Sequence, residues 1–96
     1  MILDFGDQTT ADLFHGSNTK AARRIPPILW GVACRKLDLL NAAHVLQDLK
    51  VPPGNRLEAL HGKLAGQHSI RINDQYRIIF MWIDGNAKHV RIVDYH

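Results

Sequence analysis

The feature that most constrains the fold is a change in the spacing of apolar residues halfway along the chain. Before residue 51, apolar residues recur at steps of three and four, the period of a helix that is buried on one side. After residue 66, apolar and polar residues alternate, which is the period of a half-buried strand. The prolines and glycine of Val51-Pro-Pro-Gly-Asn55 separate the two halves and would end any helix. Helices followed by consecutive strands predict an α+β fold.

The first half is predicted to hold a short N-terminal strand and two helices. Residues 2–5 are the apolar candidate for the strand, and Asp7 is placed to cap a helix over residues 8–15. The polar and basic residues 16–25 have no apolar period, so we predict that this segment is mobile. A second, longer helix is predicted over residues 27–49, because a proline opens the apolar stripe and a proline is well tolerated at a first helical position.

The second half predicts an antiparallel meander of three or four strands. The predicted strands span residues 68–72, 76–83 and 90–95, with a shorter one near 56–60. Turn sequences at 73–75 and 84–86 separate the three main strands. Helices can cover only one face of such a sheet, so polar side chains should line the other face. The alternation places Arg71 and Arg77 on that open face.

The composition excludes several classes of protein. The 96 residues allow one domain, spanning 1–96, and the hydrophobic content of 46% with 22% charged residues is that of a globular protein. The longest segment without a charged residue, Ile25–Cys34, is shorter than the roughly 20 residues that a membrane-spanning helix needs. The start of the chain lacks the basic region of a signal peptide, so we expect a cytosolic protein. A lone cysteine and widely spaced histidines predict neither a disulfide nor a metal site.

Charge is unevenly distributed along the chain, whose formal net charge is +3. Residues 1–19 carry three acidic and no basic side chains, whereas residues 20–37 carry five basic and no acidic ones. Such a polarised surface attracts phosphate groups and makes association sensitive to salt. A modest positive charge also serves solubility alone, so both interpretations remain open at this point.

The chain ends with three chemically versatile residues directly after the last predicted strand. His96 titrates near neutral pH and can give or take a proton. Tyr95 offers a ring on which a nucleobase can stack, and Asp94 can accept a proton or orient the imidazole. By residue type alone, a solvated tail is the slightly favoured explanation of these residues.

Three segments together resemble the HigB toxins of the RelE/ParE superfamily, and most closely their GraT-like branch. These segments are Val51–His61, Gly66–Phe80 and Ile92–His96. Residues 51–96 carry most of the resemblance, whereas residues 1–25 agree with the family only in length and order. The resemblance implies a compact α+β toxin of a type II toxin–antitoxin system, in agreement with the fold predicted from periodicity.

The resemblance also implies an activity. HigB-like toxins are ribosome-dependent endoribonucleases that cut translated mRNA in the A site, using the 2′-hydroxyl of the RNA as nucleophile. This chemistry implies no metal and no cofactor. The implied partners are the 70S ribosome with its mRNA and a HigA-like helix-turn-helix antitoxin, through which the complex binds operator DNA, all in the bacterial cytoplasm. Two alternatives stay open: a ParE-like gyrase poison on the same fold, and a nucleic-acid-binding module without catalysis.

The resemblance carries over to particular residues of this chain. The candidates for phosphate stabilisation and proton transfer are Arg77, Asp94, His96, Glu58 and His61. The candidates for RNA binding are Arg56, Lys63, Arg71 and Tyr95. In the best-described HigB relatives, a histidine and a lysine occupy the positions of Glu58 and His61. This chain therefore replaces a fixed cation with a titratable one.

We expect RNA cleavage by this protein to be weaker and more dependent on pH than in those relatives, because His61 and His96 change charge near neutrality. The measurement is the cleavage rate of ribosome-bound mRNA between about pH 5.5 and pH 8. A flat profile would contradict a proton-transfer role for both histidines.

Overall fold

In the computed structural model, which describes residues 1–95, four strands form one antiparallel sheet in chain order. The strands are β1 (Glu58–Ala59), β2 (Gln67–Arg71), β3 (Tyr76–Ile83) and β4 (Asn86–Asp94). The α-helices are α1 (Gln8–Phe14) and α2 (Trp30–Ala42). The helices pack on one face of the sheet, and this confirms the predicted α+β fold class.

Helix α1 begins where the sequence predicts and is attached directly to the sheet. The carboxylate of Asp7 accepts a hydrogen bond of 2.8 Å from the backbone N–H of Thr10. The hydroxyl of Thr10, which is fully buried, accepts one of 2.9 Å from the backbone N–H of Ile92 in β4. One threonine thus links the start of the helix to the last strand.

Helix α2 is shorter than predicted. The prediction of one helix over 27–49 is wrong at both ends, where 3₁₀ turns replace the α-helix over Pro27–Leu29 and Leu46–Lys50. At the C-terminal end, the carboxylate of Asp48 accepts hydrogen bonds from the backbone N–H groups of His44 (2.9 Å) and Val45 (3.2 Å). These bonds begin a separate turn, so the side chain competes successfully with continuation of the helix.

The segment 16–25 makes several contacts with the rest of the chain. Ala22 and Ile25 are buried in the core. The hydroxyl of Thr9 donates to the carbonyl of Ala21 at 2.8 Å. These contacts favour an ordered conformation. The mobility of the segment stays a prediction, which amide hydrogen exchange can test.

The β2–β3–β4 meander follows the predicted strand order. Strand β3 spans the predicted residues, and β2 begins one residue earlier than predicted. Asp84 and Gly85 form the two-residue turn after β3, with φ of 51° and 78°. Two consecutive positive φ values suit the twist of an antiparallel hairpin.

Strand β4 is longer than predicted, because it starts at residue 86 rather than 90. It contains a bulge, since Ile79 pairs with Arg91 whereas Met81 pairs with Lys88. The bulge contains His89, which has a φ of 55° and donates its backbone N–H to the carboxylate of Asp4. The extra residue explains why the apolar positions of β4 depart from strict alternation.

The predicted N-terminal strand is reduced to two isolated parallel bridges to β4. Ile2 lies opposite Ala87, and Phe5 lies opposite Val90. The bulge in β4 interrupts the ladder between them, so no continuous strand forms. The N-terminal residues nevertheless cover the outer edge of β4, which would otherwise expose unpaired backbone groups.

The core lies between the helices and one face of the sheet. Its largest fully buried side chains include Phe80, Leu37, Leu40, Ile70, Ile78 and Val90. No helix within residues 1–95 is both long and apolar enough to cross a membrane.

The loop before β1 is held by one buried amide. Asn55, which is fully buried, donates to the carbonyls of Leu49 (3.1 Å) and Val51 (3.3 Å). Its Oδ1 accepts a hydrogen bond from the ammonium of Lys36 on α2. The side chain therefore fixes the chain at the point where it enters the sheet.

Replacing Asn55 with alanine should lower the free energy of unfolding by about 1–3 kcal/mol, because the buried carbonyl of Leu49 and the partly buried carbonyl of Val51 lose their donor. For a domain of this size, the melting temperature should fall by roughly 4–8 °C for each kcal/mol. Thermal unfolding measures this change, with Asn18→Ala at an exposed site as the control. An equal, small shift for both variants would contradict the anchoring role of Asn55.

Candidate functional site

The two arginines predicted to share a sheet face do so. Arg71 of β2 and Arg77 of β3 are directly paired, on the face that the helices leave uncovered. Arg77, however, is only 8% exposed, so the expectation that both guanidinium groups are exposed is wrong for this residue. Its burial follows from the side chains and backbone that surround it.

The guanidinium of Arg77 is hydrogen-bonded to two neutral oxygen atoms. Nε donates to the hydroxyl of Ser69 at 2.8 Å, and Nη2 donates to the backbone carbonyl of Arg56 at 2.6 Å. Ser69 is itself completely buried. Neither of these two acceptors carries a charge, so any ionic partner of this buried cation has to come from another residue.

Two further candidate residues lie beside this guanidinium. The carboxylate Oε2 of Glu58 is 3.8 Å from Nη2 of Arg77, and the Glu58 side chain is half exposed. The ring of Tyr95 has its centroid 5.6 Å from Cζ of Arg77, within the range of a cation–π contact. The structure thus brings together Arg77, Glu58 and Tyr95 from β3, β1 and the end of β4.

The sheet face around Arg77 is less open than predicted. Ile79 points to this face but is only 2% exposed. The Arg91 side chain extends from β4 across β3, and its Nη1 donates to Oε1 of Gln67 on β2 at 3.0 Å. Long arginine stems on both sides of Ile79 exclude water from the middle of this face.

An open groove runs along the β1 side of the site. It has a volume of about 580 Å³ and is lined by Glu58, Ala59, Leu60, His61 and Tyr95. Three of the predicted site residues therefore share one solvent-accessible groove, with the Arg77 guanidinium beside it. His61 is exposed and immediately precedes the 3₁₀ turn Gly62–Leu64.

The remaining cationic candidates are not among the residues that line this groove. The guanidinium of Arg71 forms an ion pair with the exposed carboxylate of Asp74. Lys63, on the turn after β1, is exposed, and so is Arg56. These positions suit contacts with an extended polyanion rather than with the reacting atoms.

The C-terminal candidates are distributed over both faces of the sheet. Asp94 pairs with Tyr76, whereas Val93 pairs with Arg77, so the alternation directs Asp94 to the face opposite Arg77. Its carboxylate accepts a hydrogen bond of 3.0 Å from Gln75. His96 lies outside the described residues.

Other reactive groups stand apart from the site. Cys34 is partly buried, its thiol contacts the carbonyl of Leu13 at 3.3 Å, and burial raises the pKa of this thiol. In residues 1–95, no three His, Cys, Asp or Glu side chains are arranged to bind a metal ion together.

Sequence reasoning missed Ser69 and Lys36. A small hydroxyl in the middle of a strand, two residues before Arg71, was the available signal for Ser69. Nothing in the sequence distinguishes Lys36 from other helical lysines. Burial, together with the nearby cations Arg35 and Arg71, lowers the pKa of Lys36 from its usual value.

Comparison with known proteins relates the chain to toxins. The model of the family described as the RelE-like toxin HigB of type II toxin–antitoxin systems matches residues 3–96. Toxin HigB-1 of Vibrio cholerae is 45% identical over 87 residues, which cover 91% of this chain and 90% of that protein. An uncharacterized protein of Haemophilus influenzae is 44% identical over 67 residues, covering 70% and 66%.

Solved structures support the same fold. The YoeB–YefM complex of Staphylococcus aureus contains a chain that matches with a TM-score of 0.54 and 16% identity, covering 100% of this chain and 98% of that one. At this identity the match supports the fold alone. The family match and the identity to a HigB toxin go further, and the chain belongs to the HigB family of RelE-like toxins of type II toxin–antitoxin systems.

Proposed function

We propose that this toxin is a ribosome-dependent endoribonuclease that cuts translated mRNA in the A site and thereby inhibits translation and growth. In this reaction the 2′-hydroxyl oxygen attacks the adjacent phosphorus, and the bond from phosphorus to the 5′-oxygen breaks. The products are a 2′,3′-cyclic phosphate and a 5′-hydroxyl. The protein has to accept the proton of the 2′-hydroxyl, stabilise the charge on the phosphorane and protonate the leaving oxygen.

The observation that carries this proposal is the buried guanidinium of Arg77 beside the groove of Glu58 and Tyr95. A guanidinium presents parallel N–H groups that match two oxygens of a phosphate. Burial strengthens its interaction with developing negative charge, because fewer water molecules screen it. Arg77 is therefore our candidate for stabilising the phosphorane.

Among the candidates for the general base, the geometry favours Glu58. Its carboxylate is 3.8 Å from Nη2 of Arg77, so a phosphate bound to Arg77 would bring a 2′-hydroxyl close to Glu58. His61 lines the same groove and is available for protonating the leaving oxygen. His96 stays a candidate for this proton transfer from the sequence alone. Asp94 belongs to the opposite face of the sheet, which favours a role in positioning the C-terminal residues.

RNA binding would extend from this groove along the cationic margin of the sheet. Tyr95 offers an exposed ring for stacking a base near the scissile phosphate. Arg56, Lys63 and Arg71 would contact the backbone of mRNA or ribosomal RNA, and these contacts should weaken with increasing salt. The ribosome supplies the remaining surface that positions the mRNA.

The proposal includes the partners that such a toxin needs. We propose a HigA-like helix-turn-helix antitoxin that neutralises it, and operator DNA binding only through that complex. The 70S ribosome and its mRNA place the activity in the bacterial cytoplasm. Since the RNA supplies the nucleophile, the proposed reaction uses no metal.

Replacing Glu58 with glutamine should reduce the single-turnover cleavage rate by about 10²- to 10⁴-fold, because the amide retains the shape of the side chain but accepts no proton. The assay uses purified ribosomes with mRNA in the A site. Asp38→Asn is the matched control, since it makes the same change of charge at an exposed carboxylate on α2, to which no role in the site is assigned. Equal rates for Glu58→Gln and the control would overturn the assignment of the base.

Replacing Arg77 with lysine or alanine should reduce cleavage by about 10²- to 10³-fold. Lysine keeps the positive charge but lacks the planar guanidinium that binds two phosphate oxygens, and alanine removes both. RNA sequencing of translated mRNA after induction measures this in cells. A wild-type protein that leaves mRNA intact and induces a DNA-damage response would instead support a gyrase poison. Binding of RNA by the wild type without any cleavage would support a non-catalytic module.

A further inference from the structure

The guanidinium of Arg77 forms its hydrogen bonds within residues 1–95 through only one of its edges. An arginine side chain has five N–H donors, and Nε–H lies on the same edge as one N–H of Nη2. Ser69 and the Arg56 carbonyl occupy these two donors. Nη1 makes no hydrogen bond with any group in residues 1–95. The edge formed by Nη1 and the second N–H of Nη2 is therefore free of hydrogen bonds there, with the Glu58 carboxylate 3.8 Å from Nη2.

Ser69 is placed in the sheet so that its hydroxyl meets this side chain. It lies between Glu58 of β1 and Ile79 of β3, two pairs of residues along the ladder from Arg71 and Arg77. Its hydroxyl is completely buried, and its hydrogen bond within residues 1–95 is with Nε of Arg77. A buried hydroxyl costs stability unless it is paired, so this serine is best explained by the arginine that it binds.

The carbonyl of Arg56 is directed to Nη2 by an uncommon backbone conformation. Arg56 has φ of 45° and ψ of 58°, in the left-handed region that residues with a Cβ seldom adopt. The preceding residue, Asn55, is fixed by its hydrogen bonds to the loop and to Lys36. Strained backbone of this kind persists where surrounding contacts enforce it, often at functional sites.

From these contacts we infer that Ser69 and the backbone of Arg56 are positioning residues of the nuclease site. They hold one edge of the Arg77 guanidinium and present the other edge, Nη1 with Nη2, to the two non-bridging oxygens of the scissile phosphate. The inference rests on the proposed nuclease function. It adds that the orientation of Arg77, beyond its charge, limits the rate of cleavage.

The structural part of the inference can be tested on the free protein without any RNA. In ¹⁵N spectra, the Nε–H of Arg77 should exchange slowly with solvent in the wild type and in Ser69→Thr, which retains the hydroxyl. Exchange should become at least about tenfold faster in Ser69→Ala, which removes the acceptor. Ser17→Ala, a change at the other serine of the chain, is the control and should match the wild type.

The functional part compares single-turnover cleavage on ribosomes at saturating and subsaturating toxin concentrations. Ser69→Ala should lower the maximal rate by about tenfold to a hundredfold, as expected for a misoriented catalytic group. The toxin concentration giving half the maximal rate should change by less than about twofold, because the charge of Arg77 remains. Ser69→Thr should restore most of the rate. If Ser69 were only structural, Ser69→Ala would lower stability, but it would not lower the maximal rate while leaving the half-maximal toxin concentration unchanged.

Further outcomes separate the inference from the proposed function. If the wild type cleaves, Arg77→Lys does not, and Ser69→Ala matches the wild type in both rate and Nε–H exchange, the positioning role is wrong and the function stands. If the wild type does not cleave, the proposed function fails, and with it the catalytic role assigned here. Should Ser69→Ala fail to fold, Ser69→Cys provides a weak acceptor of similar size. A wild-type rate in Ser69→Cys would then overturn the inference.

Discussion

The architecture around the site depends on the burial of one positive charge. A cation taken out of water destabilises a fold unless hydrogen bonds and charges compensate it. For Arg77 this compensation comes from the Ser69 hydroxyl, the Arg56 carbonyl, the nearby Glu58 carboxylate and the ring of Tyr95. These groups come from distant parts of the chain. Holding the guanidinium therefore also holds β1 and the C-terminal end of β4 against the centre of the sheet.

The loop before β1 connects this site to the helical layer. Asn55 joins the carbonyls of the 3₁₀ region to Lys36 of α2, and the next residue turns its carbonyl towards Arg77. A short chain of hydrogen bonds and backbone thus links α2 to the site. The position of this loop depends largely on Asn55, because the loop has few other buried side chains to fix it.

A chain of 96 residues is long enough for the proposed reaction, because the RNA would supply the nucleophile and the ribosome would position the substrate. In that reaction the nucleophile would be a hydroxyl of the RNA, and the ribosome would hold the mRNA in place. The protein has to contribute a phosphate-binding cation, a proton acceptor and a proton donor within one groove. In the proposed reaction, the departure from its best-described relatives at Glu58 and His61 would change which group accepts the proton and would leave the phosphate contact of Arg77 in place.

The sequence alone determined the α+β class, the boundaries of β3 and the shared face of Arg71 and Arg77, because these follow from local periodicity and turn residues. It also indicated the family through motifs in residues 51–96. Only the tertiary structure decided where α2 ends, that β4 contains a bulge and that Arg77 is buried on a face expected to be open. The partnership of Ser69, Arg56 and Arg77 belongs to this second group as well. Such features depend on competition between side chains and backbone for hydrogen bonds across distant segments, and the spacing of residues along one segment does not report that competition.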